Sequence, residues 1–515
     1  MKLLGLDIGT TTVSAVVVEE GNVLSSLTLK NGSFIDTGKP WEKIQDPAYI
    51  RDTALQAVQE LLEKHPDVCC ETSARNSGVL HAGFNNKPGS LMAKFCVEGN
   101  AGFDQLAKEL DIPYKRTGKL VVGFTEEDKA KLTKMKETGE ANGIVGLEIV
   151  DKDFIQEKAP MVKGEFALWS PTTAILSPFI YTVALAENAA KNGVQFFFEH
   201  PVTDISYDGC YHVTAGGEEF TSRWVINCAG LGSDKISHML GIHDYTLYPC
   251  KGEYFLLDQK VGPLLPLPAY PVPDPKAGGL GIHLTPSVDG NVFIGPSNEY
   301  LDDPSDYSAT KETMDMLLSD AARIFPHIQR EHFIRNFAGI RPKLTSKTQG
   351  GYHDFVIERR EEAPYAINLV GIESPGLTSA VPISKYIVKL MEEVETLEAN
   401  PDFDPIRKGI TTFHDKSPEE QAKLIEADPN YGEIVCRCET VTKAEVLQAI
   451  NNPLGVHTVT GVKYRCRTMM GRCQGGYCQT RVTEMIMQET GCSREEITYS
   501  RDGSWMFTGK VRDGQ

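Results

Sequence analysis

The chain has 515 residues, with 52 Lys or Arg against 70 Asp or Glu, so its formal charge at neutral pH is −18. Hydrophobic residues make up 41% and charged residues 24%, which is typical of globular proteins and excludes a disordered chain, a collagen and a coiled coil. The length exceeds what one hydrophobic core supports and predicts about three domains. The acidic excess excludes a general nucleic-acid binder but allows a local basic pocket for a small anion.

The distribution of apolar residues and cysteines predicts a cytoplasmic protein without a transmembrane segment. No apolar run reaches the length of a membrane span, and Asp7 stands where a signal peptide needs an apolar core. Peripheral membrane association stays open. Twelve cysteines are many for the cytoplasm, where disulfides are disfavoured, and five of them lie between Cys436 and Cys478. This concentration predicts a metal or cluster site in the C-terminal part.

Hydrophobic runs at the N-terminus predict three short strands followed by a helix. Turn-forming residues separate the runs, as is typical of consecutive strands. After Pro47, which suits the first turn of a helix, apolar residues recur at helical spacing until His65 and Pro66 end the pattern. The predicted strands are 3–8, 13–18 and 23–29, and the predicted helix covers 50–62.

From residue 69 onward the pattern is mixed α/β and ends in a separate module. Helices are predicted at 102–111, 126–141, 179–192, 308–324 and 383–398. Strands are predicted at 118–124, 194–199, 210–215, 223–228, 253–257, 292–295, 354–358 and 367–371. Residues 401–430 are polar and predict a linker with one short helix at 417–427, and residues 431–515 form a small cysteine-rich module.

Two close cysteine pairs in this module have the spacing of a four-thiolate site. Cys436 and Cys438 are separated by one residue, and Cys473 and Cys478 by four, with glycines that let the backbone wrap closely. Spacing alone leaves zinc and an iron–sulfur cluster open, although a zinc ribbon prefers two intervening residues. The alternative is a set of buried reduced cysteines.

The sequences around the pairs, 434–442 and 470–478, resemble the bacterioferritin-associated-ferredoxin-like (BFD-like) domain. This resemblance implies that the four cysteines bind a 2Fe-2S cluster. Cys466 and Cys492 lie outside the pattern, so we interpret them as structural.

The central part contains two strand ends rich in small residues, at 224–230 and 370–379, where a dinucleotide can approach closely. Together with 72–83, 87–90, 248–254, 284–296 and 337–343, they resemble the FAD-dependent oxidoreductases of the D-amino-acid-oxidase superfamily. The nearest groups are the glycerol-3-phosphate and L-2-hydroxyglutarate dehydrogenases, and the match covers residues 69–400. The resemblance implies FAD contacts at Thr72, Ser73, Asn76, Ser77, Gly78, Val202, Ala229, Gly230, Gly371, Gly376, Leu377 and Thr378.

Oxidation of a carbon that bears a hydroxyl needs a base for the hydroxyl proton and a cation for the acid group of the substrate. His81 is the candidate base, because it follows the flavin motif and imidazole titrates near neutrality. The alternative is a histidine that only packs on the flavin. Arg341 is the candidate anion clamp, with a structural ion pair as its alternative. His283 and Lys343 are further substrate-site candidates.

Residues 1–68 do not follow this pattern. The superfamily begins with a strand, a Gly-rich turn and a helix that hold the FAD pyrophosphate, and the G-x-G-x-x-G sequence is absent here. Instead, segment 5–13 resembles the phosphate hairpin of FGGY-type carbohydrate kinases, which have the actin-like ATPase fold. This resemblance implies that Asp7 and the Thr run after it would approach ATP. The alternative is a plain strand–turn–strand.

One position in this segment still fits a flavoenzyme. The sequence at 61–64 resembles the end of the second Rossmann strand, where an acidic residue binds the adenosine ribose, so Glu63 is a candidate FAD contact, although the local pattern is helical. Whether residues 1–68 replace the missing strands is a hypothesis.

The predicted fold is α/β and α+β. It combines a Rossmann-like FAD/NAD(P)-binding domain whose first βαβ unit is replaced, an antiparallel-sheet substrate domain and a small C-terminal iron–sulfur domain. The leading functional hypothesis is an FAD and 2Fe-2S dehydrogenase for a small anionic 2-hydroxy acid or glycerol 3-phosphate, with an electron-acceptor protein or a quinone-linked subunit as partner. The alternatives are a catalytically defective binding protein without a complete FAD site, and a carbohydrate kinase.

Overall fold

A computed structural model gives the architecture of the chain. It describes residues 66–272, 281–501, 503–507 and 509, together with the backbone of five strands before residue 46. The first three, β1 (Lys2–Ile8), β2 (Thr12–Glu19) and β3 (Asn22–Lys30), form an antiparallel sheet, and β4 (Phe34–Ile35) pairs with β5 (Ile44–Gln45). The three predicted N-terminal strands are confirmed, whereas the helix predicted at 50–62 and Glu63 lie outside the described residues.

The central body contains seven helices among the described residues and most of the strands. The helices are α1 (Leu91–Leu110), α2 (Glu126–Ala141), α3 (Lys152–Lys158), α4 (Pro178–Lys191), α5 (Ser233–Met239), α6 (Lys311–Ile324) and α7 (Gly376–Glu392). The strands are β6 (Val79–Leu80), β7 (Tyr114–Lys115), β8 (Lys119–Gly123), β9 (Glu148–Asp151), β10 (Phe166–Ser170), β11 (Ala174–Leu176), β12 (Val202–Tyr207), β13 (Tyr211–Ala215), β14 (Glu218–Ser222), β15 (Val225–Asn227), β16 (Tyr248–Leu257), β17 (Ala269–Pro271), β18 (His283–Pro286), β19 (Val292–Gly295), β20 (Glu299–Tyr300), β21 (Phe333–Lys343), β22 (Val356–Arg360) and β23 (Ala363–Val370).

A large, mostly antiparallel sheet forms the predicted substrate domain. Its strands follow the order β16-β19-β18-β17-β8-β10-β9. The short β20 pairs with β16 on the same side as β19, and β21 pairs along the other side of β16. The pairing of β16 with β21 sets Cys250 opposite Arg341 and Gly252 opposite Gly339. Apolar side chains of β8, β18 and β19 are buried with α6 in the main core. The pairing with β16 therefore fixes the position of the C-terminal half of β21, which carries Arg341.

A smaller sheet, β15-β23-β22, has the parallel pair expected of a Rossmann-like half-domain, with Val225 opposite Ala366. No described strand pairs with the other edge of β15. The strand predicted at 194–199 is wrong, because this segment has no regular structure and exposes Val194 (52%) and Phe197 (53%). A strand needs a neighbour for its backbone groups, and none of the described strands lies there.

Two helices start earlier than predicted, and the first turn of one of them is fixed by a contact distant in sequence. Helix α1 begins at Leu91 instead of 102, since both carboxylate oxygens of Asp354 accept hydrogen bonds from the amides of Leu91 and Met92 at 2.9 Å. Helix α7 begins at Gly376 instead of 383 and contains Pro382. The two helices pack closely at Gly99, where an added Cβ would lie 1.9 Å from the Thr378 carbonyl oxygen.

The cysteine-rich module has its own core and docks firmly on the body. Its elements, after the linker helix α8 (Pro418–Ala427), are β24 (Ile434–Cys436), β25 (Val441–Thr442), α9 (Lys443–Ile450), α10 (Val459–Cys466) and α11 (Gln479–Thr490). The Tyr464 ring of α10 stacks on Phe179 of α4 with centroids 4.4 Å apart. The buried Arg465 contacts Asp67 at 2.7 Å and Glu187 at 3.4 Å. Among the described residues, no helix is both long and apolar enough to cross a membrane.

Candidate active site and cluster centre

A cavity of about 710 Å³ opens between β21, the 72–78 loop and the start of α7. This size lies in the usual range for small-molecule and cofactor sites. We call it the flavin cavity. Of the residues predicted from the sequence, those that line it are Thr72, Ser73, Asn76, Ser77, His81, Gly230, His283, Arg341, Gly376, Leu377 and Thr378.

Local hydrogen bonds shape the loop that forms one wall of this cavity. The side-chain Nδ2 of Asn76 donates to the backbone carbonyl oxygens of Thr72 and Ser73. Its side-chain Oδ1 accepts a hydrogen bond from the backbone amide of Gly78 at 2.9 Å. The Thr72 hydroxyl donates to the Ile340 carbonyl oxygen on β21 at 2.7 Å. Asn76 therefore folds the loop, while Thr72 fixes it to the strand that carries Arg341.

His81 lies where the loop meets the start of α7. Its backbone amide donates to Thr378 Oγ1 at 3.1 Å, and its ring Nε2 lies 3.5 Å from Ser374 Oγ. Burial in the cavity lowers the pKa of His81 well below its ordinary value, and the nearby Lys119 and His283 lower it further. The imidazole is therefore neutral at pH 7 and able to accept a proton.

Arg341 projects into the same cavity and is held through part of its guanidinium. Nη2 donates to the Ser297 carbonyl oxygen at 3.1 Å and to Asn298 Oδ1 at 2.9 Å, and Nε lies 3.4 Å from the Cys250 carbonyl oxygen. No carboxylate lies within 4.0 Å of it, and Nη1 makes no hydrogen bond, among the residues that the structure describes. Arg341 thus keeps a charge and a donor for an anionic ligand.

The two further substrate candidates are placed differently. His283 is buried, lines the cavity and stacks on Tyr270 with ring centroids 4.0 Å apart. Lys343 is 1% exposed, does not line the cavity and pairs with the equally buried Glu373 at 3.2 Å. A substrate contact for Lys343 stays a prediction, and its charge is already balanced by Glu373.

Four of the predicted FAD contacts do not line the cavity. They are Gly78, Val202, Ala229 and Gly371. Gly78 and Ala229 lie next in sequence to lining residues, and Val202 belongs to the separate sheet β12-β13-β14. Sequence reasoning missed Tyr254, Ser374 and Lys119, which lie on the cavity wall or beside His81. Lys119 could have been found from the sequence, because it is the one charged residue, at the first position, of the otherwise apolar strand β8.

A sequence profile described as "FAD dependent oxidoreductase" matches residues 53–390. The chain belongs to this family. The match begins within the segment predicted to be kinase-like, and a kinase resemblance for residues 1–68 stays a prediction. A second profile, the BFD-like 2Fe-2S binding domain, matches residues 434–488.

Individual proteins similar to the chain carry related names. It is 37% identical over 456 residues to a glycerol 3-phosphate dehydrogenase of Caloramator mitchellensis, covering 88% of this chain and 93% of that protein. It is 30% identical to the mitochondrial L-2-hydroxyglutarate dehydrogenase of Caenorhabditis elegans, covering 64% and 85%. A structure of the L-alpha-glycerophosphate oxidase of Mycoplasma pneumoniae with FAD bound superposes with a TM-score of 0.61 at 28% identity, covering 67% and 90%.

Two features of the flavin cavity in this FAD oxidoreductase fit a bound cofactor. Leu377 and Thr378, in the first turn of α7, line the cavity, and no described side chain caps this helix, so its first-turn amides are available to an anionic part of the cofactor. Ser233 is 1% exposed and lines the cavity, yet its hydroxyl has no hydrogen-bond partner among the described residues. A buried hydroxyl without a partner is costly, which favours a ligand beside it.

The four predicted cluster cysteines converge in the C-terminal module as two close pairs. Cys436 contacts Cys478, and Cys438 contacts Cys473. The hydrogen bond from the Cys478 thiol lowers the pKa of Cys436 to about 6. No three of these four sulfur atoms lie within 4.8 Å of one another in the described part of the chain. Two separate pairs match a centre with two irons, each taking two thiolates, better than one tetrahedral zinc.

The backbone packs closely around one of the four thiols. An added Cβ on Gly471 would lie 2.4 Å from the Cys438 Cβ, so only glycine allows this close approach. Cys466 and Cys492 lie outside the two pairs, as predicted. The Cys466 thiol donates to the Val462 carbonyl oxygen at 3.2 Å, and burial raises its pKa to about 12, so it is an inert part of the core.

Proposed function

We propose that this FAD and 2Fe-2S protein is a dehydrogenase that oxidises the hydroxyl-bearing carbon of glycerol 3-phosphate. The observation that carries the proposal is that one cavity contains both a neutral imidazole, His81, and a guanidinium with an unused donor, Arg341. The choice of substrate rests on the similarity to a glycerol 3-phosphate dehydrogenase over 456 residues, which is longer than the flavin-family match of residues 53–390.

In this proposal each side chain has one task. Arg341 binds the phosphate through Nη1, while its other nitrogens hold the guanidinium in place. His81 accepts the hydroxyl proton at Nε2, which faces Ser374 Oγ. When bound, FAD supplies a two-electron acceptor and the cluster a one-electron carrier. An electron-acceptor protein or quinone-linked subunit would receive the electrons in the cytoplasm.

L-2-hydroxyglutarate is the second candidate substrate. Several dehydrogenases with that name are 28–36% identical to the chain. Its oxidation needs the same two groups, because a carboxylate can occupy the place of the phosphate on Arg341.

Anaerobic mixing of the flavin-loaded protein with each candidate tests the proposal. We expect glycerol 3-phosphate to bleach the flavin absorbance band and L-2-hydroxyglutarate to do so less efficiently. The Arg341→Lys variant should raise the KM by about 10- to 100-fold, since a charge-assisted hydrogen bond contributes about 1.5–3 kcal/mol. Arg359→Lys, on a partly exposed ion pair outside the cavity, is the matched control. The proposal would be refuted if neither glycerol 3-phosphate nor L-2-hydroxyglutarate bleached the flavin.

A further inference from the structure

A second cavity, of about 810 Å³, lies where the flavin body meets the cluster module. We call it the junction cavity. The 72–78 loop separates it from the flavin cavity, and Arg75 lines both. The opposite wall is α10 of the cluster module, through Lys463 and Tyr464. The junction cavity is thus built from two domains and is distinct from the proposed substrate site.

Four cations that line the junction cavity form no ion pair with a carboxylate among the described residues. They are Arg75, Arg335, Lys463 and the exposed Arg501, and no described acidic oxygen lies within 4.0 Å of their charged nitrogens. Lys463 is only 5% exposed, and Arg75 Nε is buried without a hydrogen-bond partner. In contrast, Arg465 and Arg467 at the same junction both pair with acidic residues. Burying Lys463 and the Arg75 Nε atom without a partner is costly, so these two groups favour an anion in the cavity.

The acidic residues of the junction cavity are already engaged elsewhere. Asp67 binds Arg465, Asp289 binds Arg467 and Asp306 binds Lys251. Glu71 accepts a hydrogen bond from the Tyr307 hydroxyl. Asp303 accepts from the Ser305 amide and hydroxyl. Among the described residues, none of these five carboxylates forms an ion pair with Arg75, Arg335 or Lys463.

The rest of the wall suits an organic ligand. Phe179 and Tyr464 present a stacked pair of rings, and the Arg75 guanidinium lies 4.1 Å from the centroid of the Tyr307 ring. Burial, together with the positive charges of Arg335 and Arg467, lowers the pKa of Lys463 to about 7. A bound anion would supply the missing countercharge and restore the ammonium form.

We propose that the junction cavity is a binding site for a small organic phosphate, with the phosphate held by Arg75, Arg335 and Lys463 and the organic part against Phe179 and Tyr464. Three cations match a phosphate dianion, and guanidinium groups bind phosphate oxygens in a fixed geometry. A ligand here would contact both domains, so its binding would also stabilise their docking.

Pyridoxal 5′-phosphate is a suitable probe for the full-length holoprotein. Its aldehyde forms an imine with the Lys463 amine and releases water, and borohydride then adds hydride to the imine carbon to give a stable secondary amine. Peptide mass spectrometry locates the label. We expect saturable labelling of Lys463 that AMP and inorganic phosphate suppress. Lys443, a partly exposed lysine of the same module, is the internal control and should show no such protection.

Arg335→Gln provides the variant for this test. Arg335 is exposed, so its replacement leaves the fold intact. Loss of one charge-assisted contact should reduce Lys463 labelling about tenfold or more, while Arg359→Gln should not change it. The proposal is overturned if Lys463 stays unlabelled, if neither AMP nor phosphate protects it, or if Arg335→Gln labels like the unaltered protein. Because the readout is a label at Lys463, the test is independent of substrate oxidation.

Discussion

At the scale of single residues, Lys119 is a buried cation beside the candidate base. Its ammonium group lies 4.9 Å from the Phe84 ring centroid and 4.7 Å from that of Tyr270, and burial lowers its pKa to about 7. Below that pH it is charged and helps to lower the pKa of His81. His81 loses its function as a base when it is protonated, so activity should fall as the pH drops through its pKa, below the ordinary value of 6.5.

The Lys119→Met variant tests this coupling. Removing the positive neighbour should raise the pKa of His81, and the acid limb of the kcat/KM profile should therefore move to higher pH. Lys129→Met is the matched control, because Lys129 also lies over an aromatic ring, that of Phe166, but away from His81. An acid limb that stays in place, or moves to lower pH, would contradict the coupling.

At the scale of elements, the end of β21 is joined to the segment before α7 by the Lys343–Glu373 pair. Both side chains are 1% exposed, and Lys343 Nζ lies 3.2 Å from both carboxylate oxygens. Glu373→Gln would leave the Lys343 charge buried and unpaired. We expect the free energy of unfolding to fall by about 3–5 kcal/mol.

Chemical denaturation followed by tryptophan fluorescence measures this loss. The double variant Lys343→Met with Glu373→Leu should recover much of it, since an apolar pair of similar volume avoids the cost of burying charge. Glu393→Gln, which removes a partly exposed partner of Arg359, should change stability by no more than about 1 kcal/mol. If Glu373→Gln and the double variant lost the same free energy of unfolding, the loss would not come from an unpaired charge on Lys343.

At the scale of the whole molecule, buried ion pairs fix the cluster module to the flavin body. Arg465 reaches Asp67 and Glu187, and Glu187 also binds Arg407 of the linker at 2.7 Å. We expect Arg465→Met to loosen this docking, because it leaves both carboxylates buried without that partner. Substrate-dependent bleaching should persist, whereas reduction of an external one-electron acceptor should slow.

Limited proteolysis of the linker and stopped-flow measurement of acceptor reduction check this expectation. Arg481→Met is the control, because Arg481 pairs with Glu433 within the module and does not reach the body. Equal linker cleavage and equal acceptor reduction in Arg465→Met and the unaltered protein would show that the ion pairs do not control docking.

Short motifs predicted residues that the fold brings to one cavity or to one group of thiols, because the backbone geometry of such motifs is local. Asn76 folds its loop through neighbours within four residues. The cysteine spacing indicated the same four thiols, but in the structure each contact joins one cysteine of the first sequence pair to one of the second, Cys436 to Cys478 and Cys438 to Cys473. The strand at 194–199 and the start of α1 could not be predicted in this way. The first depends on a neighbouring strand, and the second on Asp354, which is more than 250 residues away in the chain.

The sequence by itself determined the family and the cofactors, because these follow from residue identity and short spacing. It also predicted eleven of the residues that line the flavin cavity. Only the tertiary structure decided which cations are available for a ligand. Lys343 and Arg341 lie on the same strand, but Lys343 is paired with Glu373, whereas Arg341 keeps a free donor. Pairing and burial depend on contacts between distant segments, which the order of residues along the chain does not reveal.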